Sequence, residues 1–232
     1  MRRPRSDGVE TRQRLLEAAV EVFAEKGFWE ATTAEICRKA EANSAAVNYH
    51  FGSKEDLYVE SWRHAFEQSI EAYPPGGGVP DDAPAKERLR GRILSVLRRI
   101  IDPKSHAFDM VHKEMANPTG LLTGVVRESI EPMRQEFAAI VRELLGEGAT
   151  DEQVRLCQMS VKAQCFGPML HERRRQKAGK EPPLPGPEML EPDVEALADH
   201  IVRFSLAGIR DVRRRGAKSG RRKQPAKGAT RS

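Results

Sequence analysis

Residues 32–51 read TTAEICRKAEANSAAVNYHF, two short helical patterns separated by a break of about three residues, the spacing of a helix-turn-helix. Thr32 is placed to cap the first helix, and Glu35 three positions on completes the pattern of a capping box. Ala34, Ile36, Cys37 and Ala40 give that helix a small apolar face able to lie close against a neighbour. The pattern breaks at Glu41-Ala42-Asn43, where Asn43 is a good cap for a second helix. That helix begins Ser44-Ala45-Ala46-Val47, closes on Asn48-Tyr49-His50-Phe51 and meets Gly52 as a stop. Short side chains early and polar aromatics late suit a helix laid against a nucleic-acid groove. The first expectation is a DNA-binding protein.

The 232 residues around this stretch allow one large or two small domains. Leu, Ala, Glu and Arg are plentiful, β-branched runs are scarce and aromatics make up 6%, which favours an all-α protein. No window approaches the roughly 18 consecutive apolar residues of a membrane span. The charged opening MRRPRSDGVETRQ lacks the apolar core of a secretory signal. Cys37, Cys157 and Cys165 form no C-x-x-C pair and fit a reducing cytoplasm. The basic surplus is unevenly placed. Residues 1–72 hold 10 Lys/Arg against 13 Asp/Glu, whereas residues 210–232 hold 10 against 1. A pI near 9.2 therefore describes the tail and says little about the helix-turn-helix.

In chain order, residues 1–8 read as a flexible arm with Arg2, Arg3 and Arg5, and Asp7 as the cap of the first helix. From 11 to 26, Leu15, Leu16, Ala19, Val20, Val22 and Phe23 recur at helical steps, with Arg12 and Arg14 on the wet side. Gly27 ends that helix, and Phe28-Trp29 are expected to tuck under the bundle. The helix-turn-helix domain spans 9–52. Ser53 caps a connecting helix over 53–73 whose inner face is Leu57, Trp62, Phe66 and Ile70. Pro74 through Pro84, with three glycines, is a breaker cluster marking a domain boundary or a surface loop. A second helical domain spans 85–213. Within it Leu89, Ile93, Leu94, Leu97 and Ile100 line one helix, and a short helix fills 105–116. A long helix over 119–145 is expected to kink near Ser129 because of Pro132, and another runs from 151 to about 177. EPPLPGPEMLEP (181–192) reads as a loop or strap. A last helix over 193–213 turns Leu197, Ile201, Phe204, Leu206 and Ile209 inward. Residues 214–232, rich in Lys, Arg and Gly, read as a disordered basic tail.

Residues 11–62, with F-A-E-K-G-F, T-T-x-E-I-C-R-K-A, N-Y-H-F and G-S-K-E-D-L in order and spacing, closely resemble the N-terminal domain of the TetR family of bacterial regulators. Members of that family usually carry Gly where this chain has Glu41; a positive φ there would cost a residue with Cβ roughly 1 kcal/mol, so a slightly altered turn is expected, with the motif kept. The run KEMANPTGLLTGVVRESIEPMRQEF and the later KAQCFGPMLHERR look like the C-terminal domain of the CerR-type subgroup. The resemblance implies an N-terminal three-helix DNA-binding domain and a larger helical dimerisation and ligand-binding domain after it. It also implies a homodimer on a double-stranded operator, and a small-molecule effector that relieves repression.

A helix end-on in the major groove would set Ser44, Ala45 and Asn48 against bases, Asn48 being able to bond adenine twice. The resemblance assigns Tyr49, His50 and Lys54 to phosphates, with Thr33 helping from the preceding helix. Phe51 reads as core. Arg38 and Lys39 read as solvated charges. The implied effector cavity has Met110, His112, Met115, Met159, Gln164, Cys165, Phe166 and Met169 as candidate lining; Met adapts to varied apolar shapes, although each of these also reads as ordinary core. No cofactor, metal site or enzyme chemistry is expected. His171-Glu172 starts a zinc-protease pattern that ends on Arg175, and no phosphate-binding Gly loop occurs. Cys157 and Cys165 sit about 12 Å apart along one helix, too far for a disulfide. The dimer is expected to pack helices 151–177 and 193–213 of both chains into four antiparallel helices. A sequence-indifferent binder acting through the basic tail, or an enzyme on a helical scaffold, are the rival readings.

Overall fold

The computed structural model describes residues 4–178 and 193–222, with side chains over 8–167 and 193–216. In order these form α1 (Pro4–Glu30), α2 (Thr33–Lys39), α3 (Ala46–Phe51), α4 (Lys54–Ala72), α5 (Ala85–Ile101), α6 (His106–Ala116), α7 (Leu122–Leu145), α8 (Asp151–Ala178) and α9 (Val194–Arg222). The fold is all-α. The residues of the expected 181–192 strap, residues 1–3 of the arm and 223–232 of the tail lie outside the described residues, as does the side chain of Met169. Among the described residues no helix is long and apolar enough to cross a membrane.

Two compact units divide the chain: Met1–Pro74 with Arg99–Pro132, and Pro75–Arg98 with Met133–Ser232. Residues 99–132, part of the expected second helical domain, share a compact unit with residues 1–74. The cause is packing, since α6 lies against both α1 and α4 and adds Ala107 and Met110 to their apolar core, joined by Leu122 and Val125.

In the first unit the expected stripe of α1, from Leu15 to Phe23, is fully internal. The helix starts at Pro4, so Asp7 sits inside it and does not cap it; a proline's fixed φ suits a first helical position. Gly27 takes φ 76° and ψ −179°, a region essentially reserved for glycine, and the chain bends there. Phe28 is buried beside Tyr58, whereas Trp29 stays 64% exposed and does not tuck in. Its ring meets the edge of Phe28, at 5.3 Å. On α4 the buried residues are Leu57, Tyr58, Ser61, Trp62, Ala65 and Ser69, while Phe66 and Ile70 are half-buried.

Tyr58 is the inner residue that periodicity alone did not single out. Its hydroxyl donates to Glu114 Oε2 at 3.2 Å, and burial beside that carboxylate pushes the phenol above its ordinary range. Glu114 also accepts from the N–H groups of Thr119 and Gly120, at 2.9 and 2.8 Å. Those residues form the α6–α7 connection, so α7 begins at Leu122 and not at 119.

The second unit opens with the Pro/Gly run, which is packed. A Cβ on Gly77 would lie 2.3 Å from the carbonyl oxygen of Gly91, and one on Gly91 would lie 2.3 Å from that of Gly76. Glycine at 77 and 91 lets the loop backbone touch α5. The expected inner face of α5 is buried in full, together with Arg92. Arg92 pairs with Glu136 and donates to the carbonyl of Met133 at 2.9 Å. The carbonyl of Arg134 accepts from Gln158 at 3.0 Å. α7 runs as one helix with Pro132 inside it.

Asp193 caps α9 by accepting from Glu195 and Ala196 N–H at 3.0 and 3.1 Å. Its inward stripe is Ala198, Ile201, Val202, Ser205, Leu206 and Ile209. Leu197 is half-buried, and Phe204, expected inward, is 64% exposed because it falls off that stripe. The helix passes its expected end at 213 and reaches Arg222. Arg and Lys propagate helices well, and Asp211 pairs with both Arg214 and Arg215 at helical spacing.

Candidate nucleic-acid interface

Local chemistry builds the helix-turn-helix. Thr32 accepts from Glu35 N–H at 3.2 Å and caps α2. The carboxylate of Glu35 turns to Lys26 Nζ, at 2.5 Å, so only half of the expected capping box forms. Ile36, Cys37 and Ala40 are buried as expected, while Ala34 is exposed. At the far end Glu41 N–H donates to Arg38 O and Ala42 N–H to Cys37 O, at 3.2 and 2.9 Å. These two bonds define a Schellman ending, which places its first residue past the helix in the left-handed region. Glu41 has φ 51°. The altered residue of the turn is tolerated with the turn intact.

Asn43 then caps the next turn, its Oδ1 accepting from Ala45 N–H at 2.8 Å and its carbonyl from Ala46 N–H at 2.9 Å. Regular helix begins at Ala46, two residues later than expected. Val47 and Phe51 anchor α3 in the core. The Arg12 guanidinium covers the Phe51 ring at 4.7 Å and pairs with Glu60. Arg12 therefore packs on α3 through Phe51, a contact its place on the wet side of α1 did not signal.

The opposite side of α3 faces solvent. Ser44, Ala45, Asn48 and Tyr49 are exposed, Tyr49 by 84%. His50 is half-buried, its ring edge-on to Tyr49 at 4.8 Å. Thr33 opens α2 and Lys54 opens α4; both are half-buried. The Lys54 ammonium lies 4.3 Å over the Phe28 ring, and burial lowers its pKa. Lys39 is held by Glu21 at 2.5 Å, and that bond raises its pKa. Arg38 is exposed.

The candidate effector residues fall in both units. Met110 is fully buried in the first unit's core, His112 is half-buried and Met115 is 75% exposed. In the second unit Gln164 donates to Ser160 O and Ser205 Oγ, at 3.1 and 3.3 Å. Cys165 is buried, and that burial pushes its thiol up to about 12. Met159 and Phe166 border an open hollow of about 490 Å³ with Arg134, Arg155, Gln158, Lys162 and Ala163.

Two family models match the chain. That of bacterial regulatory proteins of the tetR family matches residues 15–60, and that of the C-terminal domain of the HTH-type transcriptional dual regulator CecR matches residues 85–209. The chain belongs to the TetR family of DNA-binding transcriptional regulators, and its C-terminal subgroup is that of CecR. CecR of Shigella flexneri is 28% identical over 159 residues, covering 64% of this chain and 71% of that protein. The protein described as "Probable acrEF/envCD operon repressor" of Escherichia coli strain K12 is 28% identical over 160 residues, covering 67% and 71%. A TetR-like transcriptional regulator from Rhodococcus sp. RHA1 shares the fold, with a TM-score of 0.61 at 22% identity over 86% of this chain and 96% of that one.

Proposed function

We propose that two copies of this chain bind a near-palindromic operator through α3, repress transcription there, and are released by a small-molecule effector. The observation that carries the reading is the division of α3. Val47 and Phe51 fix it to the core while Asn48 and Tyr49 project outward beside the capped turn at Ser44-Ala45. Such a helix presents amide and aromatic groups to base edges and phosphates. Two-fold symmetry then calls for half-sites one or more helical turns apart. Leu156, Met159 and Phe166 on α8 and Phe204 on α9 are exposed apolar residues on the two helices expected to pair between copies, which supports a homodimer. An effector binding one spacing of the reading heads more tightly than the other would shift the population away from the operator-competent state.

Fluorescence anisotropy with a duplex from the chain's own promoter tests the reading. Asn48→Ala should weaken operator binding about 5- to 150-fold, the range of 1–3 kcal/mol per base contact, whereas Tyr49→Ala, which removes a phosphate contact, should weaken operator and random duplex alike. Operator preference unchanged in Asn48→Ala would remove α3 as the reader. A promoter–reporter fusion decides the sign of regulation, since one similar protein is named a dual regulator and another a repressor.

A further inference from the structure

The end of α9 is unlike the rest of the molecule in charge. From Arg210 to Arg222 it carries Arg210, Arg213, Arg214, Arg215, Lys218, Arg221 and Arg222 against the single acid Asp211. Arg214 and Arg215 are 71% and 80% exposed and share Asp211 as their ion-pair partner. Over this length a helix rises about 18 Å, so the net positive charge is about one per 3 Å. Duplex DNA carries one phosphate per roughly 1.7 Å of axis. Complementing the helix dipole needs cations only in the last turn, and here they begin three turns from the end. The reading head is the reverse: residues 1–72 are net acidic, and Lys26 and Lys39 are bound to Glu35 and Glu21.

We propose that the basic end of α9 is a second, sequence-indifferent DNA contact, supplying the long-range attraction that the acidic helix-turn-helix unit lacks. A lipid surface fits less well. A helix lying in a membrane interface needs an apolar stripe beside its cations, and residues 210–222 offer only Val212 and Ala217. The proposal does not depend on which residues read the operator, because its probe is a duplex with no operator in it.

The test uses the full chain and a random-sequence duplex, with binding measured across a salt series. In one variant Arg214, Arg215, Lys218, Arg221 and Arg222 are all changed to Gln; in a second the four arginines are changed to Lys. Each phosphate contact contributes about 0.9 to the slope of log affinity against log salt. The Gln set should flatten that slope by about 2–4 and weaken binding at low salt at least about tenfold. The Lys set should keep both. Equal slopes and affinities in wild type and Gln set overturn the proposal, including the case in which only binding to anionic vesicles is lost. So does a Lys set that behaves like the Gln set, because charge would then not be the cause. Asn48→Ala, placed against a base, is the control for the operator reading: it should lose operator preference while keeping the steep random-duplex slope.

Discussion

Glu41 occupies the first position past α2 at φ 51°, where the two closing hydrogen bonds of the turn require left-handed backbone. A side chain with Cβ there costs about 1 kcal/mol, and among the described residues the exposed carboxylate has no ion pair to offset it. Glu41→Gly should stabilise the chain by up to about 1 kcal/mol, less the extra entropy glycine gives the unfolded state. A chemical-denaturation midpoint that fails to rise would show that the turn is unstrained. Glu41 was singled out in the sequence by the family resemblance, whose members usually carry Gly there, and the helical pattern by itself marked only a break at 41–43. The exposure of Trp29 was not legible, since it depends on how Gly27 turns the chain against Phe28 and α6.

Helices are joined here by contacts between residues distant in sequence, and these set the element-scale expectations. Glu114 gathers the Tyr58 hydroxyl of α4 and two backbone N–H groups before α7. Tyr58→Phe should cost about 1 kcal/mol, the net worth of one hydrogen bond. Glu114→Ala should cost more, about 2–3 kcal/mol, because two N–H groups and a buried hydroxyl lose their acceptor. Equal losses in urea unfolding would mean that the backbone bonds contribute little. Where the 75–84 loop meets α5, Gly91→Ala must displace the carbonyl of Gly76 and the side chain of Val79. Overpacking of this kind costs about 1–3 kcal/mol, and thermal unfolding of the variant measures it. A Gly→Ala change in an open helix would instead stabilise, so the sign decides whether the close approach is real.

At the scale of the whole molecule the buried acids govern behaviour at high pH. Burial holds the Cys165 thiol protonated up to about 12, whereas an unfolded thiol ionises near about 8.5. A folded pKa raised above the unfolded one contributes stability that is complete below about pH 8.5 and lost as pH climbs toward about 12. Tyr58 acts in the same direction from about pH 10. The urea midpoint should therefore fall above about pH 8.5, and Cys165→Ala should make the fall shallower; an unchanged pH profile would place the thiol in water. Helix positions, the capped turn and the outward residues of α3 came from the sequence by itself, because periodicity, capping and family spacing are local along the chain. Tertiary structure alone decided that residues 99–132 share a compact unit with 1–74, that Tyr58 is bound by Glu114, and that Gly77 meets Gly91. It also set the outward position of Trp29. In each of these the deciding partner is contributed by another element, and no local pattern carries its identity.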